Sequence, residues 1–250
     1  MRVIYPLVFI LLTWGKLIAQ SPNQFPISDT GTSPSIAADD SGQAVVVWLN
    51  TGIYYTRFDS LGNVLKDTIN VYSPKEMEQF FQAPDVATLD TTDLPVWRNV
   101  TIFNYSEILT RPVGAIGDTV SGIYALNVTW YDAERASPCV EPLNDTTFIV
   151  VWSGNGPDTP VGAYAIYGQL YTISARYVGL NFVVSDDTTT DQTNFRPTVA
   201  PAKDMAHVFV AWLNGISTGN EIKGRILDAT GTGVAPSHVI VDNSDFAYIW

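Results

Sequence analysis

The stretch QAVVVWLN (residues 43–50) decides the fold, because the chain repeats it. Residues of high strand propensity run into a Trp and then give way to a turn. FIVVWSGN (148–155) and VFVAWLNG (208–215) say the same thing, and DLPVWRNV (93–100) is a weaker copy. A period of this kind governs the whole architecture, so it outranks any element-by-element reading.

A second landmark is coupled to the first. Pro-x-Ile/Val occurs as PSIA (34–37), PDVA (84–87), PCVE (138–141) and PTVA (197–200), at spacings of 50, 54 and 59 residues. Each copy is followed 13 to 15 residues later by Trp48, Trp97, Trp152 or Trp212. A third landmark follows each Trp: GIYYTRFD (52–59), GIYALNVT (122–129), AIYGQLYT (165–172) and EIKGRILD (221–228). Alternating apolar and polar residues predict strands with one face buried. The first and last end in Asp59-Ser60-Leu61-Gly62 and Asp228-Ala229-Thr230-Gly231, where Asp caps a turn and Gly takes the left-handed position. TINVY (68–72), NFVVS (181–185) and HVIVD (238–242) then close their units as fourth strands. Arg57 and Arg225 read as equivalent positions of the third strand, and so as structural residues.

Four antiparallel strands in about 50 residues is the arithmetic of a propeller blade. The expected fold is all-β: a β-propeller or partial propeller of about four four-stranded antiparallel blades, near 30–75, 80–133, 134–187 and 193–242 within a repeat domain at 21–250. A single sheet cannot bury both faces, so the four Trp residues and their flanking valines are expected between blades. Blade two departs from the pattern. Pro95 lies inside its second strand, where it removes a ladder donor, and residues 98–120 read as a long loop before Ile123. FPIS (25–28) resembles a lone fourth strand, and FAYIW (246–250) stops in mid-strand, which suggests a sequence truncated at its C-terminal end.

Residues 1–20, MRVIYPLVFILLTWGKLIAQ, read as a signal peptide: Arg2 supplies the basic start, an apolar run follows, and Ala19 offers a small residue for cleavage. The apolar run falls short of the roughly 20 residues a bilayer span needs, so no membrane insertion is expected after its removal. Loss of Arg2 and Lys16 takes the formal charge from −12 to about −14 (−12 − 2). A surface this acidic excludes nucleic acid, whose binding rests on Lys and Arg at phosphates, and disfavours anionic lipid. The single Cys139 cannot form an intrachain disulfide, so an exported chain of this size relies on its core.

The segments IYYTRFDSLGNV (53–64), AIYGQLY (165–171) and IKGRILDATGTGV (222–234) resemble a degenerate repeat found in exported bacterial surface proteins, roughly Pro-x-Val-Ala, Val-Val-Trp, Ile-Tyr-Gly-Gln-Arg-Phe-Asp and a Gly-rich turn. The resemblance implies a propeller and residence in the cell envelope or outside the cell, and it implies no catalytic position. The Asp-box of sialidases, Ser-x-Asp-x-Gly-x-x-Trp, is not met by ADDSGQAVVVW (38–48).

Strand alternation puts the loops before each Pro anchor and after each Trp at one end of the blades, the expected ligand face. Asn50, Arg98, Tyr105, Glu107, Arg111, Asn155, Arg196 and Asn214 are its candidate ligand contacts. Glycoside hydrolysis needs two carboxylates facing each other across a site; Asp85 and Glu141, beside Pro anchors, are the axial candidates, but nothing in their spacing pairs them. No catalytic residue, metal or cofactor is assigned. Asp39-Asp40 and Asp186-Asp187 read as solvated turns rather than calcium ligands. The leading expectation is therefore a secreted or cell-surface propeller that binds a glycan or protein without catalysis. The alternative is a propeller glycoside hydrolase, sialidase-like or related, with axial carboxylates. A further alternative is a structural repeat segment of a larger surface protein.

Overall fold

Every described element is a β-strand, and three of the four inner strands carry a proline at an interruption of their ladder. The structure, a computed structural model, describes residues 27–74, 78–101, 106–114, 117–119, 122–126, 137–155, 159, 163–174, 176–186, 193–216 and 219–241. The signal segment, Tyr105 and FAYIW lie outside the described residues. Contacts divide the chain into Met1–Thr30 and Gly31–Trp250, and every strand belongs to the second unit. The lone strand expected at 25–28 is partly outside the described residues, and Ile27 and Ser28 are in no strand. No helix among the described residues is long and apolar enough to cross a membrane.

The first sheet runs β1 (Thr32–Ala38), β2 (Ala44–Leu49), β3 (Ile53–Phe58), β4 (Val64–Tyr72), in that spatial order and antiparallel throughout. The second holds β5 (Glu78–Leu89), β6 (Thr92–Thr101), β7 (Ser106–Thr110) and β9 (Tyr124–Ala125), with β8 (Val113–Gly114) paired to β6 off that path. The third is β10 (Cys139–Asn144), β11 (Thr147–Gly154), β12 (Ala165–Thr172), β13 (Tyr177–Val183). The fourth is β14 (Thr193–Pro201), β15 (His207–Ile216), β16 (Gly219–Asp228), β17 (His238–Val241). About four antiparallel blades of a β-propeller are thus present, as the repeat predicts.

The blades pack face to face through the residues that repeat. Trp97 joins Val45, Val47, Ile53 and Tyr55 of the first blade. Trp152 joins Leu94, Val96 and Ile108 of the second. Trp212 joins Ile149, Val151 and Ile166 of the third. Each Trp therefore wedges against the blade before it, and all three are fully buried. Three residues before each Trp, the partner side of the next interface begins. Val45, Leu94 and Ile149 are covered, whereas their fourth-blade equivalent Phe209 is 41 % exposed and shares an open apolar face with Ile226 and Ile240. The Trp212 Nε1 donates to Asn194 Oδ1 at 2.9 Å. Asn194→Ala leaves that buried donor without its acceptor, at an expected cost of about 1–3 kcal/mol in urea unfolding.

Blade two corrects the sequence reading. Residues 98–120 are not one loop: β6 continues to Thr101, and β7 pairs directly with it, with Trp97 opposite Leu109. Tyr124–Ala125 is the outer strand, paired to β7, and not the third strand expected from GIYALNVT. Pro95 is accommodated because β8 pairs with Thr92 and Asp93 while β7 begins its pairing at Val96. The missing N–H therefore falls in the gap between two partners.

Arg57 and Arg225 also differ from expectation. Counted back from the turn residues Asp59 and Asp228, they sit two and three places away. One residue of offset in a strand reverses the face. Arg57 accordingly reaches the following blade at Asp93, whereas Arg225 Nη1 donates 2.8 Å back to Val184 O of the preceding one.

Candidate functional site

Pro34, Pro84 and Pro197 each lie inside a break of register, between Thr32 and Ser35, Gln82 and Asp85, and Phe195 and Thr198. Proline supplies no ladder donor, so the inner strand bulges there and re-aims the residue that follows. Ser33 and Arg196, just before two of these prolines, take φ of 49° and 52°. The re-aimed residues are Ser35, Asp85 and Thr198, with Cys139 at the matching place in the third blade.

Two of them stitch neighbouring blades together. Asp85 Oδ2 accepts 2.9 Å from the Val140 N–H of the third blade, and Asp85 Oδ1 accepts 2.6 Å from the Ser35 hydroxyl of the first. The Cys139 sulfur accepts from the Val199 N–H of the fourth. Burial, with Asp85 beside it, pushes the Cys139 thiol up to about 12, which makes it a poor nucleophile.

Glu141 follows Val140 on β10 and sits next to Asp85. Burial first, and then the charge of Asp85, push its carboxyl up to about 7. The two carboxylates line a cavity of about 300 Å³ among Ile36, Ala38, Val86, Thr88 and Pro142. A wider cavity of about 610 Å³ shares Ala38, Thr88, Glu141 and Pro142 with it and adds Asp39, Arg57, Asp90 and Met205. The Thr88 hydroxyl is buried there and has no hydrogen-bond partner. Asp39, Asp90 and Met205 belong to the turns that follow β1, β5 and β14, so the wide cavity lies at the end opposite the expected ligand face.

The wall of that cavity is tied down by Arg57. Its Nη1 donates to Asp93 Oδ1 and Oδ2 at 2.9 and 2.7 Å, Nη2 to Asp39 Oδ2 at 2.7 Å, and Nε to Gln43 Oε1 at 3.1 Å. Tyr55 donates to Asp93 Oδ2 at 2.5 Å. The ordinary work of a substrate-binding guanidinium is thus already committed inside the protein.

None of the seven described face candidates lines either cavity. Asn50 is exposed in the β2–β3 turn. Arg98 is buried, with Nε donating 2.7 Å to Ser106 Oγ, and Glu107 is half-buried on β7. Arg111 Nη1 donates 3.0 Å to Val71 O of the first blade and Nη2 donates 3.2 Å to Thr119 Oγ1. Asn155 is half-buried after β11; Asn214 is buried, its Nδ2 donating 3.2 Å to Glu221 Oε2. Arg196 is exposed on its bulge.

Asp85 and Glu141 were visible as axial carboxylates, but their convergence depends on two different blades. The one available signal was that each lies beside a Pro-x-Val anchor, Asp85 just after Pro84 and Glu141 three residues after Pro138. Asp85→Asn removes the charge that helps to raise Glu141 while burial remains. The titration midpoint of Glu141, followed by carboxyl ¹³C NMR, is expected to fall below 7 and to stay above 4.5.

No protein-family model and no curated protein matches the sequence. Among solved structures, the chain is similar to an α-L-arabinofuranosidase from Fusarium graminearum, with a TM-score of 0.59 and 11 % identity over 88 % of this chain and 69 % of that one. It is similar to an endo-arabinase from Bacteroides thetaiotaomicron, with a TM-score of 0.51 and 12 % identity over 86 % and 83 %. A GH43_1 enzyme from Xanthomonas citri aligns with a TM-score of 0.52 and 14 % identity over 88 % and 77 %. At these identities the likeness establishes the fold, a β-propeller of the kind carried by glycoside hydrolases. The expectation of a binding protein without catalysis is overturned by it: the neighbours are glycan-cleaving propellers, and they favour the enzymatic alternative.

Proposed function

We propose that the protein is a glycoside hydrolase whose proton donor is Glu141, with Asp85 as the second carboxylate. The observation that carries this reading is the pair itself. Two carboxyl groups from adjacent blades line one cavity between the inner strands β1, β5 and β10, and one of them is pushed up to about 7. A general acid works best when its proton affinity matches the working pH, and environments that separate two carboxyl groups are how such sites divide acid from base. Asp85 accepts the Ser35 hydroxyl on Oδ1 and the Val140 N–H on Oδ2, with the Cys139 thiol as a third partner, and a carboxylate has about four acceptor positions, so it keeps capacity for a water or a sugar.

The neighbouring structures make α-L-arabinofuranosides and arabinan the first substrates to try. The test is release of 4-nitrophenol from a panel of aryl glycosides that includes the α-L-arabinofuranoside, together with reducing-sugar release from arabinan. Turnover that Glu141→Gln abolishes supports the reading, and a blank panel at substrate concentrations well above a millimolar overturns it. Export rests on residues 1–20 and on the resemblance to exported repeat proteins. It is tested by the N-terminal mass of the chain recovered outside the cell, expected to begin near residue 20.

A further inference from the structure

A carboxylate used only to stitch blades needs one acceptor atom. The third blade shows this minimum, where the Cys139 sulfur takes the Val199 N–H. At the second blade the stitch is more elaborate. Asp85 holds the Val140 N–H through Oδ2 and also takes the Ser35 hydroxyl, at 2.6 Å, on Oδ1. Three successive blades therefore meet at one carboxylate, and the backbone it grips belongs to the residue immediately before Glu141. Strong donors at both oxygens fix the plane of the carboxylate, and the Cys139 thiol, a weak donor, adds little to that constraint.

We propose that Ser35 is a positioning residue: its hydroxyl locks the Asp85 carboxylate in the orientation that seats the Glu141 strand and keeps the Asp85 charge against Glu141. The kinetic part of this inference rests on the glycosidase reading; the titration part stands without it. The other charged or titratable groups facing Glu141 are Cys139 on its own strand, Asp39 and Asp40 on the β1–β2 turn, Arg57 on β3 and Asp90 on the β5–β6 turn. Of these only Cys139 and Asp85 are linked by a contact that Ser35 adjoins. Removing the Ser35 hydroxyl therefore acts on Glu141 through Asp85. With its plane released, the Asp85 carboxylate turns toward solvent and its influence on Glu141 weakens.

The experiment uses the full chain labelled with ¹³C at Glu and Asp carboxyl carbons, with the Glu141 signal assigned by its loss in Glu141→Gln. In Ser35→Ala the Glu141 midpoint is expected to lie measurably below that of the wild type, and in Ser35→Thr, which keeps the hydroxyl, close to it. Thr198 occupies the matching place in the fourth blade, so the strand position accepts threonine. Ser35→Cys keeps the size, loses the strong donor and replaces Ser35→Ala if that variant does not fold. On an active substrate, Ser35→Ala is expected to lower kcat by roughly tenfold, the scale of a lost hydrogen bond to a charged group, with KM little changed. Its alkaline limb should move to lower pH. An unchanged Glu141 midpoint in a folded variant lacking the hydroxyl overturns the proposal, as does a Ser35→Thr midpoint displaced as far as that of Ser35→Ala. If no glycoside is turned over, the glycosidase reading fails while the titration still decides the role of Ser35.

Discussion

Glu141→Gln is expected to lower glycosidase turnover by about 10²–10⁴-fold, the range lost when a general acid is removed, while substrate binding changes little. Glutamine keeps the size and polarity of the side chain and cannot give up a proton, so the loss isolates proton donation. The wild-type rate is expected to fall as pH rises through about 7, where Glu141 loses its proton. Any residual rate in the variant should lack that limb.

The same substitution has a consequence for stability, and its sign follows from linkage. Glu141 has a folded-state value of about 7 against 4.5 for the free side chain. Its contribution to stability is fully present below pH 4.5 and is lost as pH rises toward 7, because the folded protein must then hold a half-buried charge beside Asp85. Between those values wild-type stability should decline relative to Glu141→Gln. Urea midpoints measured at pH 4.5 and pH 7.5 check this. If the two proteins run parallel, Glu141 titrates as an ordinary surface carboxylate and is not the acid.

The second large effect is structural. Arg57→Met is expected to destabilise the protein by about 3–5 kcal/mol, because it leaves Asp93 buried without its cationic partner. The side chains of Arg57 and Asp93 are 2 % and 0 % exposed, so water cannot replace the lost partner. For a domain of this size the loss corresponds to a fall in Tm of roughly 6–20 °C. The double variant Arg57→Met/Asp93→Leu should recover much of it, since removing both charges lifts the desolvation cost along with the attraction. Calorimetry of the two variants decides this, and a double variant as unstable as the single one would show that packing, rather than the unpaired charge, sets the cost. The same substitution also takes the partner of Asp39 Oδ2 away at the cavity wall, while Oδ1 stays bound to Ser41 and Gln43, so any activity should suffer along with stability.

Much of the architecture was legible because a blade is built from local signals. The Val-Val-Trp strand, the Asp-x-x-Gly turn and the Pro-x-Val anchor each recur, and repetition separates them from coincidence. The reading failed where local signals compete. In the second blade SEILT (106–110) is a run of only five residues, and GIYALNVT matches the repeat better, so the sequence points to a third strand one hairpin too late. For Arg57 and Arg225, similarity of context concealed an offset of one residue. In a strand that offset exchanges one neighbouring blade for the other.

By itself, then, the sequence determined the all-β repeat, about four blades in this stretch, the burial of Trp97, Trp152 and Trp212 between blades, though Trp48 packs within its own blade against Val46, Tyr54 and Phe58, and a net charge of −12. These follow from periodicity, burial and charge, which are properties of residues and their near neighbours. Only the tertiary structure decided which carboxylates share a cavity. Asp85 and Glu141 lie 56 positions apart (141 − 85) on different sheets, and the proton affinity of Glu141 depends on burial and on the charge of Asp85, both created when the second and third blades pack together. The cavity likewise opens at the end formed by the β1–β2, β5–β6 and β14–β15 turns, away from the loops that sequence had favoured. Which end of a blade carries a pocket depends on how the sheets stack and twist, and no single strand records that.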